Sequence, residues 1–585
     1  MWLINTTSLR LESFHGDATP AYAILSHTWG SNEVSLQDFT SAGPDGVRAA
    51  AAHHAGYRKI VAAVHQARQD GHGHIWIDTC CIDKTSSAEL TEVINSMYAW
   101  YSAAQTCYAY LSDTTVSGAD AGSSDDFEAR LRRCRWFTRG WCLQELLAPR
   151  RIRFFNDRWC EIGTKASLCG LLARISGVPE AVLASPPERD VGDFPVAQRI
   201  SWIAGRQTTR VEDMAYSLLG ILDINMPMLY GEGSKAFARL QEEIIRKYND
   251  LSIFAWSKKA KGSGFIPVLA PSPDCFKREV LGDKYHDGDD GDFVDEPDTR
   301  QSASLIGDRL RTQFSLTNQG VVFPNVKLYC QNPVAGYRYH YLLLLNYRDD
   351  AFRGIRDKQW YILLQKVGPG LYARIHETGS RTAAFRDKPI LDPFYEPVCI
   401  INNISPTLAR QLATWERHAV RLRWRAWEKR DRKFWNIRAM EPRQSWDVIG
   451  GQFLVEMASE QYLHIEFVPG NHETNPHYEY FVIVVVVGSA EGRRDPSRIS
   501  ARIVSSRIWP GANATPFQFA SKEVLALQSL PAKTGGGPER LSLVGYDMWL
   551  TVSLNWQHDG VPYHLIYLDW EESAPEVYSR RLIRR

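Results

Sequence analysis

The chain has almost no net charge: 68 lysines and arginines against 67 aspartates and glutamates leave +1. Bulk electrostatics therefore gives no pull toward nucleic acid or an anionic membrane. There is no Cys-x-x-Cys pair. The ten cysteines are scattered, only Cys80 and Cys81 are adjacent, and most lie in apolar segments where a thiol behaves as a small hydrophobe. This argues against a zinc site or a disulfide framework and fits a reducing compartment. No apolar run approaches the roughly 20 residues of a membrane helix; FVIVVVVG at 481–488 reads as a buried strand. The N-terminal MWLINTTSLRLESFHGD lacks the charged-then-apolar layout of a secretion signal. The expectation is a cytoplasmic protein without a membrane partner, in which triplets such as Asn5-Thr6-Thr7 are chance matches to a glycosylation site. No GxSxG elbow, no GxxxxGK[ST] loop and no internal repeat occurs either.

What is present is length and pattern. A chain of 585 residues with 44% hydrophobic and 23% charged residues is a globular protein of two or three domains. YAILSH, HIWIDTC, CYAYLSD and RIRFF read as short apolar strands. Between them lie helical stripes at Tyr57, Ile60, Val61, Val64 and Ala67, then at Val93, Ile94, Met97, Tyr98, Tyr101 and Ala104. Strands alternating with helices imply an α/β parallel sheet with flanking helices. Ligands sit beyond the carboxyl ends of such strands, where Ser26, His27, Asp78 and Asp113 fall. We divide the chain into an α/β domain over 1–195, a helical extension over 196–260, a loop or linker over 261–300 and a β-rich domain over 301–585. The extension carries a capping-box spacing at Thr209 to Glu212. A basic helix near 406–433 interrupts the last domain, which reads as a sandwich or barrel.

One carboxylate stands out. In RGWCLQELLAPR, Glu145 lies one helical turn after Trp141 in an apolar and basic run. It is either a pocket carboxylate beside an aromatic wall, suited to stabilising positive charge on a substrate, or a surface glutamate pairing with Arg139, Arg150 or Arg151. Ser26-His27 invites a hydrolase reading, but adjacent strand residues face opposite ways and do not readily form a dyad. Asp78 and Asp83 bracket TCCI, a pair of carboxylates suited to acid and base work or to binding a hard cation, and Asp78 is read as a strand-end residue that lines the crevice or caps the turn. No metal-ligand cluster accompanies them, so no metal is expected. GEGSK at 231–235 is read as shaping a helix entry. RLRWRAWEKRDRKFW interleaves basic and aromatic residues as nucleic-acid surfaces do, and equally as a solvated amphipathic helix does.

Three ordered blocks, YAILSHTWG, IWIDTCCID and RWFTRGWCLQELLAPR, resemble the signature blocks of the fungal heterokaryon-incompatibility (HET) domain. The stretch from Arg199 to about residue 245 resembles the segment that trails it. HET domains are in turn similar to Toll/interleukin receptor (TIR) domains, which have a flavodoxin-like sheet, and WCLQEL is similar to the TIR segment WCxxEL. That resemblance implies Glu145 as an NAD-cleaving residue. It also implies substrate contacts from the crevice loops, at Ser26, His27, Trp29, Gly30, Asp78, Asp83 and Trp141. HTWGSNEV and CCIDKTSS differ from the TIR loops. The expected role is a fungal nonself-recognition effector of programmed cell death. It would oligomerise when a protein trigger acts and cleave NAD as substrate, with no cofactor. The alternative is a non-enzymatic self-association module of the same family.

Overall fold

A computed structural model describes residues 1–257 (except 117 and 119–123), 264–277 and, from 312 on, mostly β-strands. The chain divides into two compact units. The first takes 1–260, 269–311 and 345–354, and the second takes 261–268, 312–344 and 355–585. The Gly/Asp-rich stretch 282–298, read above as a linker, lies outside the described residues.

The first unit is built on a seven-stranded mixed sheet. Its strands are β1 (Trp2–Asn5), β2 (Leu11–Ser13), β3 (Ala23–His27), β4 (His74–Ile77), β5 (Thr106–Tyr110), β6 (Ile152–Phe155) and β7 (Glu161–Thr164), in the order β2-β1-β4-β3-β5-β6-β7. The four central strands, β4-β3-β5-β6, are parallel, and antiparallel strands flank them on both sides. Every residue of β3 is buried, the pattern of a strand covered on both faces. Register pairs Ile24 with Trp76 on one side, and Ser26 with Ala109 and His27 with Tyr110 on the other. Sequence pattern locates the central strands and their helices. It misses β1 and β2, which are short, and β7, which has one buried residue.

Helices α1 (Leu36–Ala50, broken at Gly43) and α2 (Ala55–Gln69) connect β3 to β4, and α3 (Ser87–Ala103) connects β4 to β5. The stripe Ile60, Ala63, Val64 and Ala67 is buried on α2, and Val93, Ile94, Met97 and Tyr101 are buried on α3. The chain passes from β3 to β4 on one side, then crosses back to β5 on the other. This reversal falls at the carboxyl end of β3, the place where sheets of this kind bind ligands. Beyond β5 come α4 (Ser124–Arg132), α5 (Arg135–Thr138) and α6 (Cys142–Leu147), and α6 packs on β3 and α3. Short helices and Lys235–Lys247, with Phe237, Leu240, Ile244 and Ile245 buried, follow within the same compact unit.

In the second unit, Gly320–Gln331, His340–Leu344, Tyr361–Gly368, Leu371–His376 and Phe394–Ile401 each pair with two of the others, so the ladder closes into a small barrel. Further strands form a six-stranded and a four-stranded sheet. The expected basic helix near 406–433 is corrected here. Ala419–Trp424 is a strand, parallel to Pro562–Glu572 and antiparallel to Gln452–Leu454. The reason was legible: Val420, Leu422 and Trp424 alternate with Arg421 and Arg423, a period of two. FVIVVVV is a strand as expected, at Phe481–Val487.

Candidate functional site

The helix α6 is only six residues long, and all six are buried. A helix this short has little stability of its own, so packing and end contacts hold it. At its carboxyl end, the buried Lys165 donates to the carbonyls of Leu147 at 3.3 Å and Pro149 at 3.0 Å. A cation there suits the helix dipole, although burial lowers the ammonium's pKa to about 8.

From this helix Glu145 turns inward, with 6% of its surface exposed. The Ser26 hydroxyl, near the end of β3, donates to Glu145 Oε2. Trp136 Nε1, from α5, donates to Ser26 Oγ at 2.7 Å. Three elements thus meet in one chain of hydrogen bonds, indole to hydroxyl to carboxylate. Burial pushes the Glu145 pKa up to about 7. The Ser26 hydrogen bond works against that rise, the charge of Asp78 adds to it, and Arg139 and Cys142 oppose it. Buried Arg206 feels the same carboxylate, while its guanidinium donates to the carbonyls of Arg139 at 3.0 Å and Trp202 at 3.3 Å.

His27, next to Ser26, has other neighbours. It is 4% exposed, and neither ring nitrogen has a hydrogen-bond partner among the described residues. Nε2 lies 3.7 Å from Asp78 Oδ1 and 3.8 Å from Glu33 Oε2. These are not ion pairs, because burial, then the charge of Lys59, hold the imidazole pKa well below its usual value and leave the ring neutral. Asp78 Oδ2 accepts from the indole of Trp29 at 2.7 Å, and Lys84 Nζ lies 3.9 Å from that ring's centroid. Glu33 accepts from the amide of Gly30 at 2.6 Å and from Lys59, with Nζ 2.7 Å from each oxygen. Glycine is needed at position 56, where a Cβ would lie 2.4 Å from the carbonyl oxygen of Asn32 and block the loop from lying on α2.

The structure thus gathers Ser26, His27, Trp29, Gly30, Asp78 and Glu145 at the ends of β3 and β4. Asp83 is engaged differently: its carboxylate accepts from Gln37, from the Thr85 amide and from the Thr85 hydroxyl at 2.8, 3.0 and 2.6 Å, which lowers its pKa. Trp141 acts instead on Asp213 in the following helices, where it opposes the rise that burial causes in that carboxyl's pKa, and the indole joined to Glu145 through Ser26 is that of Trp136. Helical spacing pointed to Trp141; nothing in the sequence places Trp136, nine residues before the carboxylate, against β3. Glu33, Lys59, Arg206 and Lys165 were equally invisible, because each reaches the site from a distant segment.

The GEGSK loop also has its account. Glu212, read above as closing a capping box, accepts from the amides of Gly231 at 2.8 Å and Gly233 at 3.0 Å. Both glycines have positive φ, 103° and 61°. A carboxylate of the chain itself fills the loop that leads into Lys235–Lys247. Among the described residues no group of three or more His, Cys, Asp or Glu side chains is disposed to hold a metal, and no helix is long and apolar enough to cross a membrane.

Residues 22–127 match the family described as Heterokaryon incompatibility protein (HET), and residues 235–289 match a Domain of unknown function (DUF8212). The chain is similar to the Vegetative incompatibility protein HET-E-1 of Podospora anserina, with 46% identity over 280 residues. That alignment covers 46% of this chain and 20% of the relative, so the chain spans about a fifth of the length of the curated protein it matches. No solved structure matches.

Proposed function

This chain is a HET-domain protein, and from that premise we propose that it acts in fungal nonself recognition, as an effector of incompatibility and cell death. We further propose that its first unit cleaves NAD at the nicotinamide–ribose bond. The observation that carries the reaction is Glu145, held inward by Ser26 at the carboxyl end of the central strand. The TIR-like reading rests on WCLQEL and on the parallel strand order, which in chain sequence is second, first, third, fourth, the opening of the flavodoxin-like order.

The chemistry suits a single carboxylate. Breaking the bond between ribose C1′ and the nicotinamide nitrogen passes through an oxocarbenium-like centre, as glycoside hydrolysis does. Nicotinamide carries its positive charge in the substrate and leaves neutral with the bonding pair, so no general acid is needed. Water then supplies hydroxide to C1′ and a proton to solvent, giving ADP-ribose. Glu145 stabilises the cationic centre in its ionised form, so the rate rises through about pH 7. Removing such an electrostatic stabiliser costs about 10²–10³ in rate. Purified full-length protein is expected to release nicotinamide from NAD, and Glu145→Gln to lose that release; equal turnover in the two proteins ends the proposal.

A second reading, a non-enzymatic signalling module that works by self-association, draws on the same burial. A carboxylate 6% exposed, with Ser26 and the charges of Arg139 and Arg206 around it, also serves as an interior strut. Glu145→Gln protein that still triggers death with cellular NAD intact favours this reading.

A further inference from the structure

Two aliphatic side chains of the first unit stand in water: Val211 is 61% exposed and Leu229 is 51% exposed. Scattered single cases of this kind are ordinary. These two are gathered at one place by direct contacts. The guanidinium of Arg210 lies over the ring of Tyr230, 4.2 Å from its centroid. On the other side of Val211, Glu212 accepts from the amides of Gly231 at 2.8 Å and Gly233 at 3.0 Å. Residues 210 and 212 therefore both grip the loop that follows Leu229, with Val211 between them.

The loop is also held from within. The Leu229 amide donates to the Tyr216 hydroxyl at 2.9 Å, and the Tyr230 hydroxyl donates to Asp213 Oδ1 at 3.0 Å. Arg239 donates to the carbonyl of Pro227 at 2.9 Å. Leu229 is thus displayed by a backbone fixed on both sides of it, and little ordering remains to be done when a partner arrives.

Charge on this surface is one-sided. Each carboxylate between 211 and 234 already holds an internal donor: Glu212 the two glycine amides, Asp213 the Tyr230 hydroxyl, Asp223 the Lys247 ammonium and Glu232 the Tyr216 hydroxyl and Arg239. Two cations have no such partner. Exposed Arg210 has its ring contact but makes no side-chain hydrogen bond or ion pair among the described residues. Exposed Lys235 makes none either, and it begins the helix Lys235–Lys247, where the dipole disfavours a cation.

We propose that Arg210, Val211, Leu229 and Tyr230 form a docking surface for a partner protein whose contacting segment carries a carboxylate flanked by aliphatic side chains. The guanidinium, backed by the tyrosine ring, takes the carboxylate in paired hydrogen bonds, and the aliphatic groups cover Val211 and Leu229. Arginine and tyrosine are the residue types that concentrate binding energy in protein interfaces. A phosphate backbone would meet the cations but leave both aliphatic side chains in water, which favours an acidic protein segment over nucleic acid. This surface goes beyond the proposed cleavage and does not depend on it.

The test is a display selection of short random peptides on immobilised full-length protein, followed by fluorescence anisotropy of the selected peptides. They should share an aspartate or glutamate close to leucine, isoleucine, valine or methionine. Changing that carboxylate to its amide should weaken binding by about tenfold to a hundredfold, the range for a lost charge-assisted hydrogen bond. Arg210→Gln and Leu229→Ser, at exposed positions that leave the internal bonds of the loop in place, should each weaken it about as much. Arg68→Gln, at an exposed position on α2, should not. Peptides with no shared carboxylate, binding that survives both Arg210→Gln and Leu229→Ser, or no selected peptide on protein of native circular dichroism overturns the surface. So does a dimer in sedimentation that Leu229→Ser dissolves, which makes a second copy the occupant, and so does retention of an oligonucleotide but of no peptide.

Discussion

The hydroxyl of Ser26 donates to the carboxylate of Glu145 across 119 residues of sequence. One partner lies next to the end of a central parallel strand and the other sits on a six-residue buried helix, so the bond joins the sheet to the element that carries the carboxylate inward. The carboxylate pays for its burial in proton affinity, and the resulting pKa near neutrality makes its state measurable.

The first expectation concerns pH and stability. A carboxylate whose pKa rises from 4.5 unfolded to about 7 folded binds its proton more tightly in the native state. Its contribution is fully present below about pH 4.5 and is lost as pH rises to about 7. The whole change is about 3 kcal/mol. Glu145→Gln keeps an acceptor for Ser26 and cannot ionise, so it should gain on wild type by that amount between those pH values. Denaturant unfolding of both proteins across the window measures the difference; a constant gap means that Glu145 titrates as an ordinary surface acid.

Ser26→Ala should move the window rather than remove it. The Ser26 hydrogen bond opposes the rise in the Glu145 pKa, so its loss should carry the upper limit above 7. It also leaves the Trp136 indole without its acceptor. Stability at pH 7 should fall by about 1–3 kcal/mol, the cost of orphaned buried polar groups. The same titration, repeated in a Ser26→Ala background against Ser26→Ala/Glu145→Gln, reads the new limit.

A third expectation tests the support behind α6. Gly220 lies where a Cβ would sit 2.1 Å from the Cβ of Tyr98 and 2.5 Å from its Cγ, on α3. Gly220→Ala must push that helix or its neighbour aside, costing about 1–3 kcal/mol as overpacking does. The urea midpoint of the first unit should drop accordingly, and an unchanged midpoint would show that the two helices separate freely.

Much of this was legible beforehand, and the reasons are local. Apolar runs such as AILSH and HIWI, and stripes such as Ile60, Val64 and Ala67, follow from the periods of strand and helix, so the central sheet and its helices could be located in advance. Where a strand is three or four residues long or half exposed, as in β2 and β7, the period has too few repeats to register. The strand Ala419–Trp424 was misread because its arginines outweighed its alternation.

Local spacing alone established that Glu145 lies on a helix and Ser26 near the end of a strand, and the ordered blocks resembled those of a HET domain. It took the folded chain to bring the two side chains together, to have Trp136 rather than Trp141 supply the indole, and to set Lys165 at the end of the helix from beyond β7. Hydrogen bonds and burial act through space, and the crossing of the chain from β4 back to β5 brings together residues that no spacing rule relates.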